Sequence, residues 1–261
     1  MSKELSFLTI QNFADILDEN EFFTQFYNDK LPDRYDSNYV LLHFSPTVQE
    51  FLIIENIQKE YIISEAADQI HLKFRWPENT GIMIDLLDYL SKKQYKIGKE
   101  ELMYALPHTI DIGQIDPKFK CEIVNKDKLG DFFTLNYKDN LLISNEFADF
   151  SERTYHYQFE QPNTEFLMVT INDLPVASLT LHISDNFIEI DHVLTDKDYR
   201  KQGIASHMIH YVMNVWNGNK KPLILVVDAE DTPKNLYEKL GFKVISSQIS
   251  VEKILTNQDL Y

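Results

Sequence analysis

Asp191-His192-Val193-Leu194-Thr195-Asp196-Lys197-Asp198-Tyr199-Arg200-Lys201-Gln202-Gly203-Ile204-Ala205-Ser206-His207 is the stretch that decides how this chain is read. Ahead of it, the apolar run over 187–194 predicts a strand. Behind it, Ala205, Ile209, Val212 and Trp216 recur at helical spacing, which predicts a helix over 204–216 with one face in a core. A strand that turns into a helix through a glycine can hold an anion. The first helical N–H groups have no partner inside the helix and carry the positive end of its dipole. Gly203 leaves the main chain bare, Ala205 keeps the first turn small, and Arg200 and Lys201 add formal charge. A phosphate is the ligand such a turn suits.

Downstream, residues 223–227 are continuously apolar, as in a strand covered on both faces. Thr232 suits a helix cap, Pro233 the first helical position, and Gly241 a left-handed stop. Residues 242–245 and 249–255 are expected to form a closing hairpin. Upstream lie a strand over 118–124, helices over 127–137 and 146–159, and a hairpin of 166–171 with 176–183 through Asn172-Asp173-Leu174-Pro175. The segment 107–117, with two prolines and Gly113, marks a boundary between domains at 1–110 and 117–261.

The N-terminal half begins with helix-like spacing over 13–17 and 22–27. A strand over 39–44, a helix from Ser45-Pro46 to about Tyr61, a strand over 71–76, a helix over 82–93 and a pair of strands at 95–97 and 101–106 follow. The order strand, helix, strand, helix, hairpin over 39–106 repeats over 188–255. In that register the first copy has Leu90 where the second has Tyr237, and Ser45-Pro46 where the second has its glycine turn. Such a copy keeps a fold without its chemistry.

With 25 basic against 41 acidic residues the net charge is −16, which repels phosphate backbones and argues against nucleic acid as a partner. It would draw a cationic acceptor, although a solubilising surface explains it equally well. No apolar run approaches about 18 residues and the start Met1-Ser2-Lys3-Glu4-Leu5 is polar, so a soluble, cytoplasmic protein away from membranes is expected. The single Cys121 excludes an internal disulfide or a cysteine zinc site and reads as a packing residue. His207 and His210, three apart without a matching carboxylate or thiol, read as surface or packing histidines, and no metal is expected.

The pattern Arg200-x-x-Gly203-x-Ala205, with Leu194-Thr195 before it and Asn235-Leu236-Tyr237-Glu238-Lys239-Leu240-Gly241-Phe242 after it, resembles the GNAT superfamily of acyl-CoA-dependent N-acetyltransferases. The resemblance implies an α/β (α+β) fold: a mixed, mostly antiparallel central sheet flanked by helices, here in two tandem domains with a degenerate N-terminal one. It implies acetyl-CoA as co-substrate. Its diphosphate would sit on main-chain groups of Arg200, Lys201, Gln202, Gly203, Ile204, Ala205 and Ser206, and its pantetheine arm along Val193, Leu194 and Thr195. Tyr237 falls where the family often has a general acid for the departing thiolate, and a phenol is a neutral donor at pH 7. Glu230 and Pro233 stand where many relatives have Asn and Ala, which leaves Asn235 as the candidate amide contact.

A base for the incoming amine is sought on the strand before the loop. Alternation puts Glu189, Asp191 and Val193 on one face and Ile188, Ile190, His192 and Leu194 on the other. Asp191 is the first choice and Glu189 the second. The aromatic run Phe147, Phe150, Tyr155, Tyr157 and Phe159 could wall an acceptor cleft or pack in a core. The expected activity is acetyl transfer to a primary amine, small molecule or peptide, by direct attack. The competing reading is a sensor that binds acyl-CoA without turnover. The acceptor and the oligomeric state cannot be read from these residues.

Overall fold

The computed structural model describes residues 5–64, 71–109, 116–218, 220–230 and 233–255. These fall into two compact units, one drawn from Met1–Glu101, Asp228–Glu230 and Ser246–Tyr261, the other from Leu102–Val227 and Asp231–Ile245. The units therefore interleave along the chain. The break expected over 107–117 includes 110–115, which lie outside the described residues.

In the first unit, β1 (Asp15–Glu19), β2 (Phe23–Tyr27), β3 (Tyr39–Leu42) and β4 (His71–Arg75) follow one another in the sheet. The first three are antiparallel, whereas β3 and β4 are parallel and joined by α1 (Val48–Ser64). The next place is taken by the end of β11 (Lys243–Ile254), antiparallel to β4 with Val251 opposite Phe74. Residues 246–255, assigned from sequence to the C-terminal domain, thus pack in the first unit. α2 (Ile84–Lys92) and β5 (Lys96–Ala105) complete the repeat. Fully buried Phe51, Phe74 and Trp76 centre the core, with Phe51 4.8 Å from the Phe74 ring. Each such side chain stabilises the fold by about 2 kcal/mol.

Two expectations fail here. The helices read over 13–17 and 22–27 are the β1–β2 hairpin. Phe13 sits at φ 54°, which a helix cannot accept, and the Asn20 side chain receives N–H bonds from Phe22 and Phe23 to close a tight turn. Residues 95–97 and 101–106 are not two strands either, because β5 runs unbroken through them. β4 is buried on both faces, and its polar face is neutralised: Lys73 and Arg75 reach Asp36 at 2.7 and 2.8 Å.

In the second unit, β6 (Lys120–Ile123), β7 (Thr164–Ile171), β8 (Leu174–Ile183) and β9 (Ile188–Thr195) are antiparallel neighbours, and β9 pairs in parallel with β10 (Leu223–Asp228). The β7–β8 turn places Asn172 and Asp173 at φ 50° and 62°, the geometry of a two-residue hairpin. The helices are α3 (Leu129–Asn140), α4 (Asn145–Phe159), α5 (Ile204–His210) and α6 (Pro233–Lys239). α5 continues as a π-helical segment, Tyr211–Trp216, so the helix expected over 204–216 exists but widens halfway. The hairpin expected at 242–255 is the single strand β11, since Ser246-Ser247-Gln248 extends instead of turning. Each unit thus has a mixed, mostly antiparallel sheet flanked by helices. The orders β3-α1-β4-α2-β5 and β9-α5-β10-α6-β11 match, with one parallel pair in each.

Candidate active site

The geometry starts with an irregularity in β9. Asp191 lies opposite Thr180 and Leu194 opposite Ser178, so three residues of β9 span two of β8. His192 takes up the extra residue at φ 48°, and its N–H donates to the Asp191 Oδ1 at 2.8 Å. The bulge exchanges the faces beyond it. Val193 packs with Ile188 and Ile190 on the core, while Leu194 joins the face of Glu189 and Asp191, the reverse of the strict alternation expected. β9 and β10 pair only at Ile188 with Leu223 and Glu189 with Ile224, so Val193, Leu194 and Thr195 lie beyond the paired stretch.

After β9 the chain makes a short 3-10 turn, Lys197–Tyr199, capped by the Asp196 carboxylate. Lys201 at φ 62° and Gly203 at φ 81° then swing it into α5. Gly203 is the N-cap and offers no side-chain bond, so the first N–H groups of α5 keep no cap of their own. A Cβ on Gly203 would meet nothing within 4 Å, so the glycine is needed for its left-handed backbone and for the open space in front of it.

That space is a cavity of about 650 Å³. Val193, Leu194, Thr195, Arg200, Lys201, Gly203, Ile204, Ala205, Ser206 and Tyr237 all line it. Of the predicted cofactor residues, Gln202 and Asn235 are exposed and off its wall. α6 brings Tyr237 in. Its end is a Schellman turn, with Gly241 at φ 97° and the Phe242 N–H bonded to the Tyr237 carbonyl at 3.0 Å. Tyr237 is 6% exposed and meets Phe242 edge-on at 5.8 Å. Thr232, the expected cap, lies outside the described residues.

The two predicted carboxylates sit just behind the wall. Glu189 is buried, and its carboxylate, that of Asp191 and the His182 ring each offer an atom within 4.8 Å of the others. Thr164 Oγ1 lies 3.2 Å from His182 Nδ1 and steadies the ring. Asp191 Oδ2 is 3.6 Å from His182 Nε2 and 3.4 Å from His192 Nε2. His192 lines the cavity.

Sequence reasoning missed Asp139 and Asn140, which close the far wall from α3 together with Tyr155 of α4, the one member of the aromatic run that lines the cavity. Burial first, then the charges of Asp191 and Asp139, push the Tyr155 phenol up to about 12 against the bond from Asn140, so it stays a neutral donor. The other aromatic residues divide: Phe159 packs with Phe132 and Phe166, while Phe147 remains exposed. Burial pushes the Cys121 thiol up to about 12, which removes it as a nucleophile. His207 is buried with Nε2 3.2 Å from the Phe119 carbonyl, a packing role as expected.

Residues 134–257 match the Acetyltransferase (GNAT) domain family. This part of the chain is a GNAT domain. Residues 5–103 match a separate family described as a domain of unknown function. Among solved structures, a functionally unknown conserved protein from Staphylococcus epidermidis ATCC 12228 superposes with a TM-score of 0.88 at 23% identity, covering 97% of this chain and 98% of that one. A GCN5-related N-acetyltransferase from Kribbella flavida gives 0.61 at 13%, covering 92% and 89%. A tandem GNAT protein from the clavulanic acid biosynthesis pathway gives 0.51 at 6%, covering 82% and 73%. These likenesses establish a shared fold. No curated protein matches the sequence. Among the described residues, no helix is long and apolar enough to cross a membrane.

Proposed function

We propose that the GNAT domain is an N-acetyltransferase that moves the acetyl group of acetyl-CoA to a primary amine by direct attack, in the cytoplasm. One observation carries this reading: the uncapped start of α5 at Gly203 opens onto the same cavity as Tyr237 and the edge of β9. The residues present fit the co-substrate. Main-chain N–H groups around Gly203 to Ser206, with Arg200 and Lys201, offer a diphosphate both hydrogen bonds and charge. Beyond the paired stretch of β9, Val193 to Thr195 offer main-chain groups to a pantetheine amide.

When bound, acetyl-CoA supplies a thioester: the amine nitrogen bonds to its carbonyl carbon as the C–S bond breaks. Tyr237 donates its phenolic proton to the leaving sulfur. Asp191 acts as base through His192, whose ring lines the cavity and takes the proton lost by the amine nitrogen. Glu189 sits deeper with His182 and supports that pair. The degenerate first repeat carries no chemistry, and neither nucleic acid nor membrane is a partner.

Thioester consumption with a panel of amines tests the proposal. Turnover that falls in Tyr237→Phe while CoA affinity holds supports it. Tight CoA binding without turnover for any amine would instead support a sensor.

A further inference from the structure

Asp139 stands apart from the groups assigned above. It carries the one carboxylate among the described residues lining the large cavity, and it also lines a smaller one of about 180 Å³ together with Leu135 and Leu142. Its Oδ1 meets Arg200 Nη2 at 3.2 Å, while Arg200 Nε donates to the Thr195 carbonyl at 2.9 Å. A residue of the phosphate turn and the carboxylate of the far wall therefore hold one another. Next to Asp139 in the chain, Leu141, Leu142 and Ile143 stay exposed, as does Phe147 at the start of α4.

We infer that Asp139 binds the ammonium of the acceptor, that the acceptor is a monoamine on an apolar body, and that diphosphate binding releases Asp139 for this task by drawing Arg200 away. The inference rests on the acetyl-CoA reading above. The Arg200–Asp139 pair is held by side chains 53% and 26% exposed, and water-exposed pairs of this kind exchange readily. A diphosphate offers the guanidinium more charge and a bidentate partner, so it wins the competition. The carboxylate left facing the cavity then needs a cation, which an ammonium supplies. The hydrocarbon of Leu135 and Leu142, which line the smaller cavity with Asp139, covers the rest of such an amine. In the smaller cavity Lys138 is neutralised by Asp196 at 2.6 Å, which leaves Lys197 there and Lys201 in the larger one to repel a second positive charge on the acceptor. That decides for a monoamine over a polyamine. Linkage requires CoA and the amine to raise one another's affinity by the same factor.

Calorimetric titration of the full chain tests this, with CoA, 2-phenylethylamine and spermidine as probes. Wild type is expected to bind 2-phenylethylamine at least about fivefold more tightly with saturating CoA than without it, and spermidine more weakly than 2-phenylethylamine. Asp139→Asn should keep CoA binding and lose the coupling. Arg200→Gln should raise amine affinity in the absence of CoA, because Asp139 is then free throughout. Equal amine affinity with and without CoA, coupling that survives Asp139→Asn, or a preference for spermidine would overturn the proposal. Failure of CoA itself to bind would sink the acetyl-CoA reading as well, whereas CoA binding without coupling sinks this inference alone.

Discussion

Two helix starts in this chain occupy the same place in matching repeats and are finished in opposite ways. At α1, Thr47 and Glu50 form a capping box: Glu50 Oε2 receives the Thr47 N–H at 2.8 Å and Thr47 Oγ1 receives the Glu50 N–H at 3.4 Å. At α5, Gly203 leaves that position without a side-chain cap. The first helix start is filled by its own carboxylate, which also repels an incoming phosphate. The second opens onto the cavity. The partner helices differ in the same sense, since Leu90 of α2 is wholly inside the core whereas Tyr237 of α6 reaches the cavity. One repeat closes the polar start of its helix with side chains, and the other leaves it without a side-chain cap.

The comparison can be broken most easily on the open side. Tyr237→Phe should lower turnover about 100-fold or more while leaving CoA affinity within about twofold, read by steady-state kinetics beside calorimetry. A loss shared equally between turnover and affinity would mean that Tyr237 only packs.

On the closed side the expected effects are on stability. Asp36→Asn removes the carboxylate that buried Lys73 and Arg75 share, and because Asp36 is half exposed and Arg75 keeps Glu100 at 3.4 Å it should cost about 1–2 kcal/mol, measured by urea denaturation. His71 adds a pH dependence. Burial pulls its pKa down to about 4 from an ordinary value near 6.5. As pH falls through that window the unfolded chain takes the proton first, so stability present above about 6.5 is lost towards 4, by about 3 kcal/mol in all. His71→Gln should flatten that part of the curve of melting temperature against pH, and an unchanged slope would remove His71 as its source.

The smallest effect sharpens the contrast. Thr47→Ala should cost about 1 kcal/mol through the lost cap and leave CoA binding untouched. A second CoA site appearing in that variant would show that the first repeat is only blocked and not degenerate.

Much of the open side was legible in the residues because it is written in local chemistry. Gly203, Gly241 and Pro233 each demand a particular backbone, and apolar runs such as 223–227 have few other uses. The rest depends on partners distant in sequence. Nothing local marks Asp139 or Asn140 as cavity residues, since they reach it only after α3 packs on the sheet. The bulge at His192 is invisible to a rule that counts alternate residues, yet it decides which side chains face the opening. At the N-terminus, apolar spacing over 13–27 fits a helix as well as a hairpin, and the side chain of Asn20 settles it.

On the reading proposed above, a single uncapped helix start holds the co-substrate. Titrating CoA into the full chain and into Gly203→Val tests it most directly. One site per chain in wild type, weakened about 100-fold or more by a β-branched residue at φ 81°, is the predicted result. Two sites per chain, or an affinity that Gly203→Val leaves unchanged, would contradict it.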